Sequence, residues 1–272
     1  MTGTAEKNPR GDHLTVALSI AGSDSGGGAG IQADLKTFFA LGVHGTSVLT
    51  AVTAQNTLGV SAWQAVAPDL VIQQLDAVTG DLRPAAIKTG MLADAGLVEV
   101  LGKRLRLLET PLIVDPVLIA SSGDALTLPG TVKAYLEHLL PVALLVTPNH
   151  PEAQALTGME IRNPAEALQA AHKLLDTGCG AVLLKGGHGK DETVEDLLLS
   201  RDGSRVFRHP RLKGVFHGTG CTLSAAITAY IALGRSLEDA VDEGIELVCQ
   251  AMEAAVKAGS GSLQVLQVPI LR

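Results

Sequence analysis

Val215-Phe216-His217-Gly218-Thr219-Gly220-Cys221-Thr222-Leu223-Ser224 runs from a glycine-rich turn straight into a helical segment, Thr222 to Leu233. Two glycines permit a tight turn and leave no side chains over the backbone N–H groups. The first turn of a helix carries N–H groups without partners, and the helix dipole adds partial positive charge there. Such a position holds an anion, most often a phosphate. Cys221 stands at the same helix start, where a thiol is expected to ionise more readily than in water. The bland alternative is a loop that merely begins a helix, with Cys221 as a small core residue. The rest of the chain decides between them.

Outward from this stretch, strands and helices alternate. Apolar runs predict strands at Leu14–Ala21, Thr46–Thr53, Ala85–Lys88, Leu112–Val117, Ala143–Thr147 and Ala181–Lys185, with a short edge strand at Val60–Val66. Helical patterns cover Ile31–Leu41, which stops at Gly42, a segment from Pro68-Asp69, and Ala93–Leu108. Thr131–Leu140, Pro151–Leu156, Pro164–Thr177, Thr222–Leu233 and Leu237–Ala258 follow. Val194–Leu199 and Arg205–His209, split by Asp202-Gly203, read as a hairpin. The alternation predicts an α/β fold, a mostly parallel sheet with helices on both faces.

Composition narrows the function. A chain of 272 residues with 46% apolar and 18% charged residues is globular and fits one domain over residues 14–272, after a loose polar tail at 1–13. The net charge of −7, the lack of a basic block and only 3% aromatics argue against a nucleic-acid surface. No run of 18 apolar residues is present to span a membrane. Cys179, Cys221 and Cys249 match no zinc spacing or disulfide framework, which favours a reduced, cytoplasmic setting.

In such a sheet, ligands collect beyond the carboxyl ends of the strands. Polar and glycine residues recur at those ends: Gly22-Ser23-Asp24 with the Gly26–Gly30 run, Gln55-Asn56, Thr89-Gly90-Met91, Asp115-Pro116, Thr147-Pro148-Asn149, and Lys185-Gly186-Gly187-His188. One rival reading concerns Gly28-Ala29-Gly30-Ile31-Gln32-Ala33, which matches a relaxed dinucleotide fingerprint. Six residues separate it from its strand, however, and Gln55-Asn56 stands where an acidic ribose ligand belongs. Gly189-Lys190 lacks the flanking residues of a Walker A loop.

The stretches Gly22–Thr37 and His217–Ser224 together closely resemble the hydroxymethylpyrimidine/phosphomethylpyrimidine kinases of thiamine biosynthesis, a branch of the ribokinase-like superfamily. Thr53–Thr57, Lys88–Leu92, Asp115–Val117, Thr147–Ala153 and Leu184–His188 support the resemblance in the family's order, over about residues 14 to 258. It implies a ribokinase-like fold that transfers phosphate from ATP, with Mg²⁺, to 4-amino-5-hydroxymethyl-2-methylpyrimidine and its monophosphate. It also suggests a homodimer.

Under this resemblance the Gly218-Thr219-Gly220-Cys221 turn holds the moving phosphoryl group, an oxyanion-type site. Cys221 acts either as base or as a holder of phosphoryl oxygens. Lys185, Thr147 and Asn149 face ATP, and Asp115 and Glu152 associate with Mg²⁺, chiefly through water. Gly22, Asp34, Gln55, Met91 and Val117 form the pyrimidine pocket, a carboxylate and a carboxamide pairing with the ring edge while Met and Val cover its faces. On pattern alone, Met91 and Val117 read as core, Glu152 as a helix-start acid, Lys185 as a snorkelling surface residue, and His188 and His217 as structural. Leu118–Ala125, small and polar, reads as a cover excluding water. The tail from Gly259 to Arg272 departs from the family pattern, which puts its role in doubt. Two rivals stand beside this reading. One is a pyridoxal kinase of the cysteine-containing branch, although residues 118–128 lack that branch's second cysteine. The other is a non-catalytic binder of a vitamin precursor.

Overall fold

The computed structural model describes residues 14–118, 126–187 and 192–270. The expected tail at 1–13, most of the expected cover (119–125) and His188 lie outside these residues. Along the chain come β1 (Val16–Ser23), α1 (Gly30–Ala40), β2 (His44–Asn56), β3 (Gly59–Ala65), α2 (Pro68–Asp81), β4 (Ala86–Thr89), α3 (Ala95–Arg106) and β5 (Leu112–Val114). They are followed by α4 (Thr131–Ala134), β6 (Leu145–Val146), α5 (His150–Thr157), α6 (Pro164–Leu175), β7 (Ala181–Leu184), β8 (Thr193–Ser200) and β9 (Gly203–Pro210). The last elements are β10 (Phe216–His217), α7 (Thr219–Ala232), α8 (Leu237–Glu253) and β11 (Gln264–Val265).

Among the described residues, nine strands form one sheet in the order β3-β2-β1-β4-β5-β6-β7-β8-β9. The six from β2 to β7 run parallel, while β3 and the β8–β9 hairpin add antiparallel edges. The short central strands β5, β6 and β7 are apolar throughout because both faces are covered. In β7, Val182 and Leu184 face the core shared with α3 and α6, whereas Ala181 and Leu183 face the one shared with α1, α7 and α8. Leu112 and Val114 of β5 divide from Ile113 in the same way. The chain leaves β1 toward β2 and returns on its other side as β4, so a crevice opens at the carboxyl ends of these strands.

Two segments differ from the sequence pattern. The helix expected over Thr131–Leu140 becomes a wide π turn at Tyr135–Leu139, against which α3 packs through Gly102; a Cβ there would lie 2.3 Å from the His138 carbonyl oxygen. Helix α8 stops at Glu253 rather than running to Ala258. Beyond it Val256 pairs with Val265, and β11 pairs in parallel with β10, so the atypical tail returns to the glycine-rich turn. Periodicity cannot show such a return, because two-residue strands carry no pattern of their own.

A charged pair crosses the interior between β4 and α1. Lys88 Nζ lies 2.7 Å from Asp34 Oδ1, both side chains wholly buried, and Ser19 Oγ donates to Asp34 Oδ2 at 2.5 Å. Burial alone would lower the ammonium's pKa, but the carboxylate, with Cys221 and Asp115 further off, raises it instead. Removing one partner leaves an uncompensated buried charge, whereas replacing both does not. Lys88→Met is therefore expected to cost about 3–5 kcal/mol in urea unfolding, and Asp34→Leu/Lys88→Met to recover most of that loss.

Candidate active site

A cleft of about 620 Å³ follows the carboxyl rim of the sheet. Strand order arranges its lining: Gln55 from β2, Gly22 from β1, Met91 after β4, Asp115 and Val117 after β5, Asn149 and Glu152 after β6, and Lys185 after β7. Gly218, Thr219, Gly220 and Cys221 open into the same cleft from the start of α7. That helix packs on β1, β4 and β5, which brings its first turn over the middle of the rim.

The turn is built by close backbone approach. Gly218 has φ of 82°, and a Cβ on it would lie 1.9 Å from the Gly28 carbonyl oxygen. Without a side chain at 218 nothing caps α7, and the N–H groups of Thr219, Gly220 and Cys221 have no intrahelical acceptor. A Cβ on Gly220 would stand 3.2 Å from Lys185 Nζ, so this glycine admits the lysine to the helix start. The glycines of the other loop serve packing: a Cβ on Gly28 would meet the His217 ring at 2.3 Å, and one on Gly30 the Gly22 carbonyl at 2.3 Å. These contacts account for the fingerprint-like spacing without a dinucleotide.

Lys185 is held between carboxylates. Its Nζ lies 3.0 Å from Asp115 Oδ1 and 3.9 Å from Glu152 Oε2. Thr147 Oγ1 donates to Asp115 Oδ1 and Ser224 Oγ to Oδ2, both at 3.2 Å. Burial works against the ionised Asp115, but Lys185 and Lys88 outweigh it and hold the carboxyl below its ordinary range. Burial, helped by Asp115, pushes the Glu152 carboxyl up to about 7 against the pull of Lys185. Glu152 also closes a capping box with Asn149 at the start of α5, as its reading as a helix-start acid expects, while it lines the cleft.

Cys221 departs from its sequence reading. Burial pushes the thiol up to about 11; Asp34 and Asp115 add to the shift, while Lys88 and the Gly30 N–H oppose it. The helix start does not offset this, so the thiol rather than the thiolate prevails at neutral pH.

At the β2 end, Met91, Leu126 and Ala51 form an apolar cluster joined by Val117 and Trp63, beside the Gln55 carboxamide. Gly22 faces Met91, whose Sδ a Cβ would approach to 3.0 Å, so it makes room for the methionine. Two further residues stand here: His217, which reads on pattern as structural, and Asp24. His217 Nε2 lies 2.9 Å from Asp24 Oδ2 and 3.3 Å from Gln55 Nε2, while Asp24 also accepts N–H bonds from Gly26, Gly28 and Ala29. Burial notwithstanding, the His217, Ala29 and Gly26 hydrogen bonds keep Asp24 below the usual carboxylate range. Their signal was present as His217 and Asp24 within the two glycine-rich stretches. Only the meeting of those stretches reveals the pair.

The chain and its fold have counterparts among known proteins. Residues 24–266 fit the family model for phosphomethylpyrimidine kinase. The chain belongs to that family. It is 50% identical over 244 residues to the hydroxymethylpyrimidine/phosphomethylpyrimidine kinase of Rhizobium meliloti, covering 88% of this chain and 91% of the relative. The Escherichia coli kinase of the same description is 46% identical over 242 residues, covering 88% and 91%. Among solved structures, phosphomethylpyrimidine kinase from Clostridium difficile superposes with a TM-score of 0.78 at 39% identity, covering 88% of this chain and 99% of that one. Staphylococcus aureus pyridoxal kinase, in complex with AMP-PCP and pyridoxal, gives 0.85 at 32% identity, covering 93% of each. The fold is thus the ribokinase-like one that the motifs implied, and the protein is a kinase.

Within this family frame, Gly22, Gln55, Met91, Val117, Asp115, Asn149, Glu152, Lys185 and the 218–221 turn all line one cleft. Asp34 does not. It is spent on Lys88 and Ser19 beneath the cleft, because an aspartate facing inward from α1 meets the lysine of β4 before any ligand. Thr147 is also wholly buried and acts through Asp115.

Two tests follow from the glycine and carboxylate geometry. Gly220→Ala should lower kcat/KM for ATP about tenfold or more while the melting temperature moves by only about 2 °C; Gly218→Ala should lose both. The raised Glu152 value works against the folded state once the carboxyl ionises. Its stability contribution is complete below about 4.5 and is lost as pH rises through about 7. The pH slope of the unfolding midpoint over that window should accordingly flatten in Glu152→Gln.

Proposed function

We propose that this kinase moves the γ-phosphoryl group of ATP onto the hydroxymethyl group of 4-amino-5-hydroxymethyl-2-methylpyrimidine and onto its monophosphate, for thiamine biosynthesis. One observation carries the reading: the α7 start with Cys221 opens into the same cleft as a carboxamide flanked by Met91 and Val117. An aminopyrimidine edge offers a ring-nitrogen acceptor beside an amine donor. The Gln55 amide has one donor and one acceptor to match, and Met91 and Val117 cover the ring faces.

Phosphoryl transfer asks mainly for alignment and charge stabilisation. The N–H groups of Thr219, Gly220 and Cys221 supply fixed positive ends to the transferring oxygens, and Lys185 adds a full charge beside Gly220. A thiol pushed up to about 11 supports the oxyanion role for Cys221 over that of a free base, since its S–H donates to a phosphoryl oxygen. Asn149 borders the ATP side of the cleft, and Thr147 steadies Asp115 from beneath. Among the described residues no group of three His, Cys, Asp or Glu is arranged to hold a metal. Asp115 and Glu152 would meet an ATP-bound Mg²⁺ through water, where the ion would offset phosphate charge. A homodimer rests on the family resemblance alone. Among the described residues no helix is long and apolar enough to cross a membrane. Three free cysteines support a cytoplasmic setting.

Incubation with MgATP and each acceptor, followed by mass spectrometry, tests the substrate. The pyrimidine mono- and diphosphates are the expected products; pyridoxal 5′-phosphate as the dominant product overturns the assignment. Cys221→Ala should lower kcat by about 10² or more with little change in pyrimidine affinity, and equal turnover removes the residue from the chemistry.

A further inference from the structure

Three groups at the β8–β9 end of the cleft have no part in the transfer just described. Cys249 Sγ, on α8, lies 3.6 Å from His209 Nδ1, and His209 Nε2 lies 3.3 Å from Asp196 Oδ2. Hairpin register sets the second contact: Val194 pairs with His209 and Asp196 with Phe207, which makes Asp196 and His209 diagonal neighbours on one face. Asp196 is anchored, its Oδ1 accepting the Gly186 N–H at 2.7 Å with only 4% of the residue exposed. Thiol, imidazole and carboxylate thus stand in line, and all three border the cleft.

The order of the three groups determines what the ring does. Hydrogen bonding to Asp196, then to Cys249, pushes the imidazole up to about 10 against desolvation, so at neutral pH both ring nitrogens carry hydrogens. One N–H goes to the carboxylate and the other points at sulfur. A thiol beside an imidazole that a carboxylate orients is placed for nucleophilic attack. The other two cysteines lack this arrangement: Cys179 is 1% exposed, and burial pushes the Cys221 thiol up to about 11. Cys249, like Cys221, is partly exposed.

We propose that Cys249 is a thiol-modification site, activated by His209 and Asp196, that takes low-molecular-weight disulfides and thereby blocks the Lys185 side of the cleft to ATP. In the exchange the Cys249 sulfur bonds to one sulfur of the disulfide, the disulfide bond breaks, and the other half leaves as thiol with the proton that Cys249 gives up. A second thiol reverses the step by the same chemistry, restoring Cys249 and closing a new disulfide. Only the ATP-blocking half depends on the kinase reading.

The test treats the full chain with a small excess of glutathione disulfide and follows each cysteine by peptide mass spectrometry. Cys249 is expected to react about tenfold or more faster than Cys221 and Cys179, and His209→Gln to slow it about tenfold. AMP-PCP should protect Cys249. Activity should fall in step with its modification and return with dithiothreitol, while Cys249→Ser should show the same rate with and without the disulfide. Cys221 reacting as fast as Cys249 in the unmutated protein overturns the assignment, whatever the variants do. Full modification of Cys249 with undiminished turnover overturns the blocking half. Because labelling is read without a phosphate acceptor, an error in the pyrimidine assignment leaves this result intact.

Discussion

Two lysines, each paired with an aspartate, underlie the first turn of α7. Lys88 and Asp34 form the wholly buried pair; Lys185 and Asp115 form the pair at the cleft floor. Buried charges are costly unless matched, and here each carboxylate is further satisfied by a hydroxyl: Ser19 on Asp34, Thr147 and Ser224 on Asp115. The result is a preorganised field. The lysine ammonium groups stand below and beside backbone amides that already present positive ends to the cleft, which under the proposed function leaves little to reorganise when phosphoryl oxygens gain charge.

This arrangement also explains why the turn is glycine-rich. Gly218 lets the chain pass the Gly28 carbonyl, and Gly220 lets Lys185 reach the helix start. The two glycine stretches are one structure in three dimensions, joined by the Asp24–His217 contact. A cysteine, and not a carboxylate, sits in this turn near Asp34 and Asp115. Another carboxylate there would raise the local negative charge where the proposed function brings phosphate close, whereas a thiol stays neutral.

Much of the site was legible because its chemistry recurs at strand ends. Gln55, Met91, Asp115, Glu152 and Lys185 follow apolar runs, and in a parallel sheet such positions share a rim. Asp34 was misread as a pocket residue for a physical reason. Helical pattern puts it on an inward face, but only packing shows that the inward neighbour is Lys88. The expected acidity of Cys221 failed similarly: position on a helix is local, whereas desolvation depends on everything packed around it.

By itself the sequence determined the alternation of strands and helices, the two-sided burial of the parallel strands, an edge strand, a hairpin and the family. These depend on periodicity, turn residues and motif order, all of which are local in the chain. Only the tertiary structure decided which charges are spent on each other, how β11 returns to β10, and that Asp196, His209 and Cys249 meet. Such contacts join residues far apart in the chain, and their energies come from distance and burial, which no local pattern records.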